Sequence, residues 1–388
     1  MGRVIILVAD GVGCGGAPDA STYGDAGADT LGNLARRLGG LRLPNLARLG
    51  LGRTTAIAGV SATINPEGAW GLLTQASAGK DTITGHWEMA GLVTTDPMAT
   101  FPHGFPIEIT SALKALAGRP LIGNKPASGT AIIEELGAEH LKSGALILYT
   151  SADSVLQIAA HEEIVPLPEL FRICQAARGI ADRHRIGRVI ARPFVGVPGQ
   201  FRRTYNRRDF SMLPPRPTLC DVLTAAQIPV LGVGKIADIF AGRGVPISLH
   251  TEGNADGMNI TLEALDRMDR GLLFVNLVDF DMVFGHRNDC PGFGRALETF
   301  DAWLPRFRAR LHAGDAAFIT ADHGNDPTTA GTDHTRERVP LLAFGPGVRP
   351  ATTIGIRRSF CDLGQTVAAA LGAPALDRGT SFWDEVRA

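Results

Sequence analysis

Short apolar runs rich in branched residues alternate with helical patterns along most of the chain, and this alternation constrains the fold more than any other feature. The predicted strands are VIILVAD, ALILYTS, RVIARPFVGV, IPVLGVG, GLLFVNLVD, AAFITAD and VPLLAFG. A typical helical segment between them is DTLGNLARRLGG, where Asp29 or Thr30 can cap the start and Gly39 the end. The alternation predicts a layered α/β fold.

Two proline-containing stretches divide the chain, and its 388 residues are enough for two domains. They are TTDPMATFPHGFP at 94–106 and DFSMLPPRPT at 209–218. We therefore expect a core domain made of residues 1–95 and 213–388, with a smaller domain, 96–212, inserted into it. Within the core, Pro305 is expected to kink or divide the helix predicted for GRALETFDAWLPRFRARLHA.

Composition excludes several classes of partner. The net charge is −1, which does not favour nucleic acid or a membrane surface, and no apolar run approaches the roughly 18 residues of a membrane span. The five cysteines are scattered and never form a C-x-x-C pair, so a disulfide framework or thiolate zinc site is not expected. A cytoplasmic protein is predicted. The sequence does not predict an oligomeric state.

Three of the predicted strands each deliver an aspartate at or just past their ends. They are Asp10 after VIILVA, Asp281 after LLFVNLVDF and Asp322 after AAFITA. A single aspartate of this kind often caps a helix or closes a turn. Ligands of an open parallel sheet, however, gather beyond the carboxyl ends of its strands, so three strands can bring three carboxylates into one crevice.

Histidines follow two of these aspartates closely. His286 lies five residues after Asp281, His323 is next to Asp322, and His334 follows eleven residues later. A lone histidine is more often structural, but aspartate and histidine together suit Mn²⁺, Zn²⁺ or iron. Six such side chains are too many for one catalytic zinc and are about right for two ions, the arrangement used in phosphoryl transfer.

The segment GKDTITGHWE, residues 79–88, concentrates hydrogen-bonding and proton-transfer groups. It lacks an apolar period of either 2 or 3.6, so we predict a loop. A threonine hydroxyl is a poor nucleophile unless a base or a metal activates it, and a threonine beside two divalent ions would have that activation. Either Thr82 or Thr84 could serve.

In these motifs the chain resembles the phosphopentomutases of the alkaline phosphatase superfamily. The resemblance rests on GKDTITGHWE, NKPASGT, YTSADSVLQIAAHEE, GRVIARPF, VGKIADI, VNLVDFDMVFGHR and TADHGNDPTTAGTDHTRE, which run through the chain in the family's order. It implies an alkaline-phosphatase-like α/β core with a central, mostly parallel sheet flanked by helices. The inserted domain would be a smaller α/β cap that closes over a sugar.

The resemblance also implies roles for individual residues. One metal ion would be held by Asp281, His286 and His334, and the other by Asp10, Asp322 and His323. Thr82 would be the nucleophile, because related phosphoglycerate mutases place a serine at the matching position. Lys80, Asp81, His86 and Glu88 would surround it, although Lys80 and Glu88 could equally staple a turn. The family's usual metal is manganese, so two Mn²⁺ per chain are expected, with Zn²⁺ or another divalent ion possible.

The implied reaction interconverts ribose 1-phosphate and ribose 5-phosphate, and their 2-deoxy forms, in nucleoside catabolism and salvage. It would pass through a phosphothreonine and a sugar bisphosphate, with a bisphosphate as activating primer, and the partners would be small pentose phosphates. Ser151 and Asp153 are candidates for binding sugar hydroxyls. The candidates for the non-reacting phosphate are Arg192, Arg207 and Lys235; the alternative for each arginine is a surface ion pair.

Three alternatives remain at the level of sequence. A phosphatase of the same superfamily would use the same threonine and metals but pass the phosphate to water. A phosphoglycerate mutase would have serine at the nucleophile and a longer chain. A non-catalytic metal-binding or sugar-phosphate-sensing protein would lack a ligand or the nucleophile, and none is missing.

Overall fold

The computed structural model describes residues 2–151 and 153–388. The described strands are β1 Arg3–Ala9, β2 Ala69–Leu73, β3 Leu121–Pro126, β4 Leu146–Thr150, β5 Val155–His161, β6 Arg188–Val195, β7 Arg202–Arg203, β8 Arg208–Ser211, β9 Val230–Val233, β10 Ile247–Leu249, β11 Gly271–Leu277, β12 Ala316–Thr320, β13 Val339–Phe344 and β14 Thr352–Arg357. The described α-helices are α1 Thr30–Leu38, α2 Pro44–Leu49, α3 Thr82–Met89, α4 Ile107–Ala117, α5 Gly129–Ser143, α6 Leu167–Arg183, α7 Leu219–Ala225, α8 Ile236–Ile239, α9 Asn254–Arg267, α10 Cys290–Arg308, α11 Cys361–Ala370 and α12 Trp383–Val386.

The chain divides into two compact units. One contains Met1–Asp96 and Pro214–Ala388, and the other contains Pro97–Leu213. The boundaries expected from the prolines, after residues 95 and 212, each differ from these by one residue. The role of the inserted unit as a cap remains a prediction.

The first unit is built on one eight-stranded sheet in the order β10-β9-β11-β1-β12-β13-β2-β14. The five strands β10, β9, β11, β1 and β12 are parallel to one another. Strand β13 is antiparallel to both of its neighbours, so β2 and β14 run in the same direction as the first five strands. Strands β1, β11 and β12 are buried along their whole length, as expected for central parallel strands covered on both faces. The predicted mixed α/β fold with a mostly parallel sheet is confirmed.

The inserted unit has its own mixed sheet, β3-β4-β5-β6-β7, with β8 paired to β6. Alternate residues of its strands enter different cores, as the period of two requires. Leu146 and Leu148 of β4 pack in a cluster with α4 and α6, whereas Ile147 and Tyr149 pack in a second cluster with α5. The unit is therefore a helix–sheet–helix layer.

The prediction of a loop at GKDTITGHWE is wrong, because most of this segment is the helix α3. Asp81 caps its start, and its Oδ1 accepts a 3.0 Å hydrogen bond from the backbone N–H of Thr84. Every residue from Ile83 to Met89 is buried, polar ones included. The apolar period that marks a surface helix is therefore absent.

Pro305 does not divide α10, which continues to Arg308. A proline in a helix leaves the carbonyl four residues earlier without its N–H donor. Here that carbonyl belongs to Asp301, and Nδ2 of Asn45 donates a 2.9 Å hydrogen bond to it. A side chain from α2 therefore replaces the missing helical bond. The cap prediction for α1 is confirmed, with Asp29 at its start and Gly39 in a left-handed conformation at its end.

No helix in residues 2–151 and 153–388 is long and apolar enough to cross a membrane. All five cysteines are free and buried.

Candidate functional site

The three strand-end aspartates lie at the carboxyl ends of three neighbouring parallel strands. In the sheet, β1 lies between β11 and β12, and it is parallel to both. Asp10 directly follows β1, and Asp322 follows β12 by two residues. Asp281 follows β11 by four residues and lies in a π-helical turn, Phe280–Phe284. The sheet thus brings the three carboxylates to one edge.

One group of possible metal ligands consists of Asp281, His286 and His334, whose ligand atoms all lie within 4.8 Å of one another. The Nε2 atoms of His286 and His334 lie 3.2 and 3.3 Å from the carboxylate oxygens of Asp281. The Nδ1 atom of His286 lies 2.6 Å from the carbonyl oxygen of Thr332. A hydrogen bond donated by Nδ1 to this carbonyl requires the tautomer with its proton on Nδ1. In that tautomer, Nε2 keeps a free lone pair that can bind a metal ion.

A second group consists of Asp10, Asp322 and His323, again with all ligand atoms within 4.8 Å. The Nε2 atom of His323 lies 3.4 Å from Oδ1 of Asp10 and 3.3 Å from Oδ2 of Asp322. The two groups adjoin, because the imidazole rings of His323 and His334 have their centroids 4.0 Å apart. The six ligands predicted from the sequence are thus brought together in the two predicted sets of three.

The polar atoms of these groups fit divalent cations. Within the described part of the chain, Oδ1 of Asp10, Oδ2 of Asp322 and Nε2 of His334 are buried and make no hydrogen bond of good geometry. Their nearest polar neighbours are other groups of the same site, at 3.4, 3.1 and 3.3 Å. Buried polar atoms are normally paired, and an unpaired one costs free energy. A cation bound between these atoms would supply the missing partner. The oxygen and imidazole donors suit Mn²⁺, Zn²⁺ or iron.

The charges of the site point the same way. Burial, with the nearby Asp322 carboxylate, raises the pKa of Asp10. Burial opposes protonation of His323, but Asp322, Asp281 and Asp10 outweigh it and raise its pKa well above the ordinary value. In Asp322, burial is outweighed by His323 and His86, which lower its pKa to about 2. Crowded carboxylates in a buried site attract positive charge, and a divalent cation would displace the proton that His323 otherwise holds.

Thr82 is the first residue of α3, and its hydroxyl faces the second group. Its Oγ1 lies 3.2 Å from Nε2 of His323. The hydroxyl of Thr84 is engaged elsewhere, since it donates a 2.6 Å hydrogen bond to Oδ2 of Asp81 and the residue is fully buried. Of the two threonines of this segment, Thr82 has its hydroxyl beside a candidate ligand atom. Its place at a helix N-terminus favours a bound anion.

Two buried asparagines hold candidate ligands from behind, and a buried histidine lies beside a third ligand. The Nδ1 atom of His86 is 2.9 Å from the carbonyl oxygen of Thr82 and 3.1 Å from Oδ2 of Asp322. Asn276 donates from Nδ2 to Oδ2 of Asp10 at 2.8 Å, and Asn325 donates from Nδ2 to Oδ1 of Asp281 at 2.6 Å. Sequence reasoning missed both asparagines. Asn276 could have been noticed as the one polar residue inside the apolar run GLLFVNLV.

The five predicted substrate-binding residues are not all in one unit. Ser151, Asp153, Arg192 and Arg207 belong to the inserted unit, and Lys235 belongs to the core unit. Arg192 lies on β6, where its Nε and Nη2 donate to Oε1 of Gln157 at 3.2 and 2.7 Å. Lys235 follows β9, with its Nζ 3.7 Å from Sδ of Met282.

Two of these residues are engaged in ion pairs. Arg207 donates two 2.7 Å hydrogen bonds to the carboxylate of Asp209. Asp153 accepts a 3.3 Å hydrogen bond from Arg188. Arg207 therefore forms the ion pair that was raised as its alternative role. Binding of a substrate phosphate by Arg207 stays a prediction.

Comparison with known proteins places the chain in a family. The model of the metalloenzyme superfamily matches residues 2–375. The phosphopentomutase of Anaeromyxobacter sp. (strain K) is 56% identical over 385 residues, which cover 99% of both chains. That of Carboxydothermus hydrogenoformans is 50% identical over 389 residues, covering both chains completely. The chain belongs to the phosphopentomutase family. Phosphopentomutases are isomerases, so the chain is an isomerase with a metalloenzyme core.

The resemblance drawn from the motifs is thereby confirmed, and it spans the whole phosphopentomutase chain. Among solved structures, the PH0037 protein of Pyrococcus horikoshii matches with a TM-score of 0.50 and 14% identity, covering 96% of this chain and 97% of that one. At that identity the likeness concerns the fold alone.

Proposed function

We propose that this member of the phosphopentomutase family interconverts ribose 1-phosphate and ribose 5-phosphate, and the corresponding 2-deoxyribose phosphates, through a phosphorylated Thr82. The observation that carries the proposal is the Thr82 hydroxyl, which lies 3.2 Å from Nε2 of His323 and beside two adjoining groups of metal ligands. The ribose phosphates are the substrates that the family resemblance implies.

The metal groups would hold two Mn²⁺ ions, with Zn²⁺ as the other ion that the donor set accepts. When bound, the ions supply positive charge that neutralises phosphoryl oxygens and lowers the pKa of a neighbouring hydroxyl. Asp281, His286 and His334 would hold one ion, and Asp10, Asp322 and His323 the other. Asn325 and Asn276 keep the carboxylates of Asp281 and Asp10 oriented for this task.

In the proposed cycle, Thr82 begins as a phosphothreonine. Its Oγ–P bond breaks as the free hydroxyl of the bound pentose monophosphate forms a new O–P bond. The attacking hydroxyl loses its proton and the departing Thr82 oxygen gains one, giving a pentose bisphosphate and the free threonine. The bisphosphate then presents its other phosphate, and Thr82 Oγ loses its proton as it takes that phosphoryl group, while the sugar oxygen leaves and gains a proton. The positive end of α3 favours the phosphoryl charge at each transfer. A sugar bisphosphate would prime an unphosphorylated enzyme in the same way.

The inserted unit would serve as the cap that binds the sugar. Its candidate residues for the sugar hydroxyls are Ser151 and Asp153. Arg192 and Arg207 are its candidates for the phosphate that does not react, with Lys235 of the core unit as a third. A cap of this kind keeps water from the phosphothreonine, which is the condition for transfer to sugar rather than hydrolysis.

We also propose that the enzyme works in the cytoplasm, in nucleoside catabolism and salvage. Its five free, buried cysteines are consistent with a reducing compartment.

Phosphorus NMR tests the proposal. The Mn²⁺-loaded protein is mixed with ribose 1-phosphate, with and without a trace of a sugar 1,6-bisphosphate. A signal that moves to ribose 5-phosphate, and moves faster with the bisphosphate, is the expected result. Inorganic phosphate in its place would make the protein a phosphatase and overturn the proposal.

A further inference from the structure

The segment that joins β2 to Thr82, residues 74–81, has neither helical nor strand structure, and we call it the Thr82 loop. Backbone N–H and C=O groups outside regular structure must be satisfied some other way when they are buried. Gln75 and Ser77 of this loop are buried. Two charged side chains from other parts of the core unit, Arg336 and Glu88, hydrogen-bond to the backbone of this loop.

Arg336 takes the carbonyl groups. Its Nη1 donates to the carbonyl oxygens of Ser77 and Gly79 at 2.7 and 3.0 Å, and its Nη2 donates to that of Gln75 at 3.0 Å. Its Nε and Nη2 donate to the carboxylate of Asp19, and Nη1 also lies 2.8 Å from Oε1 of Gln75, so that the two N–H groups of Nη1 are shared among three acceptors. Its guanidinium is almost completely buried, with 2% of the side chain exposed.

Glu88 takes the amide groups. Its carboxylate accepts from the backbone N–H of Ala76 at 2.8 Å and from that of Ser77 at 2.7 Å. Its Oε1 also accepts from the hydroxyl of Ser359 and the N–H of Phe360, so Oε1 has three donors and Oε2 has one. Glu88 is itself a residue of α3, nearly two turns after Thr82, and it is fully buried.

We propose that Arg336 and Glu88 are positioning residues that fix Thr82 against the metal ligands. Arg336 lies two residues after His334, so it ties the segment of one candidate ligand to the loop that leads to the nucleophile. Glu88 ties the same loop to the helix that begins at Thr82. The loop is therefore held through its carbonyl groups by Arg336 and through its amide groups by Glu88.

The chemistry of the two side chains explains their use here. Only a planar guanidinium offers five donors in a rigid fork, whereas a lysine in place of Arg336 would offer three from one nitrogen. The proposal rests on the proposed function, because it assumes that Thr82 is the nucleophile. Misplacing a reacting group by about 1 Å can slow a reaction on the order of a hundredfold.

Arg336→Lys tests the proposal, with Arg3→Lys as the matched control. Arg3 is equally buried, pairs with Asp315 and donates to backbone carbonyls, but it lies at the amino end of β1, roughly 20 Å from Asp10. Both variants should lower the melting temperature. We expect kcat to fall about a hundredfold in Arg336→Lys with KM within about threefold, and kcat to stay within about threefold in Arg3→Lys.

A second pair keeps the test decisive if Arg336→Lys does not fold. Glu88→Gln keeps the shape of the side chain but turns one acceptor into a donor opposite a backbone N–H. Its control is Asp301→Asn, since the buried Asp301 also accepts from two backbone amides, those of Asn45 and Leu46, at 3.2 and 2.7 Å. The expected result is a kcat loss of at least about tenfold confined to Glu88→Gln.

A direct readout is the rate at which a sugar bisphosphate phosphorylates the protein in a single turnover, followed by intact mass with the metal content measured in parallel. Slow phosphorylation with full metal content in Arg336→Lys and Glu88→Gln is expected. Equal losses in variants and controls, or a loss that matches missing metal, would overturn the positioning role. Thr82→Ala is run beside them: if it stays active, the proposed nucleophile has failed rather than the positioning of it.

Discussion

Asn325 donates a 2.6 Å hydrogen bond from Nδ2 to Oδ1 of Asp281, and both residues are buried. Asn276 does the same for Asp10, with a 2.8 Å bond to its Oδ2. Each proposed metal group thus has one carboxylate held by one asparagine from another part of the sheet edge. A carboxylate held this way loses little orientational freedom when a cation binds, which supports affinity.

Loss of either asparagine should weaken one metal group selectively. We expect Asn325→Ala to lower metal affinity by roughly 10- to 100-fold at the group of Asp281, and Asn276→Ala to do so at the group of Asp10. Competition with a chelator, followed by elemental analysis, should find one weakened ion per chain in each variant. Asn45→Ala, which removes a buried asparagine bound to Asp301, is the control and should keep both affinities. Unchanged affinity in all three variants would contradict the account.

Glu337 should make folding stability depend on pH. Burial raises its pKa to about 7, although hydrogen bonds from Thr335 and Thr30 partly oppose this. The folded-state pKa lies above the ordinary value of 4.5, so the folded chain binds the Glu337 proton more tightly than the unfolded chain does. The contribution of this group to the free energy of unfolding is therefore complete below pH 4.5 and is lost as the pH rises through 7. Relative to Glu337→Gln, which does not titrate, the wild-type chain should lose about 2 kcal/mol of unfolding free energy between pH 5 and 8.

Urea unfolding of both proteins in the same chelator-containing buffers measures this difference. The two oxygens of Glu337 accept from the Thr30 and Thr335 hydroxyls at 2.7 and 2.6 Å, and from the Thr30 N–H at 2.9 Å. The side-chain amide introduced by Glu337→Gln can donate to the hydroxyls, so the variant should fold. Parallel stability curves for the two proteins would show that Glu337 titrates normally.

The hydrogen bond from Asn45 to the Asp301 carbonyl should contribute more to the free energy of unfolding when residue 305 is proline than when it is alanine. Asn45→Ala leaves that carbonyl buried and without a donor, which should cost about 1 to 3 kcal/mol of unfolding free energy. In a Pro305→Ala background the new backbone N–H can take over, so the same substitution should cost about 1 kcal/mol less. Chemical denaturation of the four proteins of this cycle gives the coupling. Additive effects would mean that the helix does not need Asn45.

Strands and candidate ligands were predictable from the sequence because both depend on local order. An apolar run such as VIILVA becomes a buried strand, and the residue after it, Asp10, must then lie at the carboxyl edge of the sheet. The division into two sets of three was not derivable from spacing, since it depends on which strands are neighbours. It came from the family resemblance.

What the sequence could not show depends on tertiary contacts. The helix α3 was mistaken for a loop because Thr84, His86 and Glu88 are buried against polar partners, which removes the apolar period. Pro305 predicts a kinked or divided α10, and the donor that compensates for it, Asn45, lies 256 positions before the Asp301 carbonyl that it satisfies. The hydrogen bonds from Arg336 to the carbonyl groups of residues 75, 77 and 79 likewise join segments that no local sequence pattern connects.

The most direct test of the account is to locate the phosphoryl group on the enzyme. The Mn²⁺-loaded protein is incubated with a sugar bisphosphate, digested and sequenced by tandem mass spectrometry, beside Thr82→Ala and Thr84→Ala. We predict one phosphoryl group, on Thr82, that is absent from Thr82→Ala, present in Thr84→Ala and discharged by ribose 5-phosphate. A phosphoryl group on another residue, or full mutase activity in Thr82→Ala, would contradict the account.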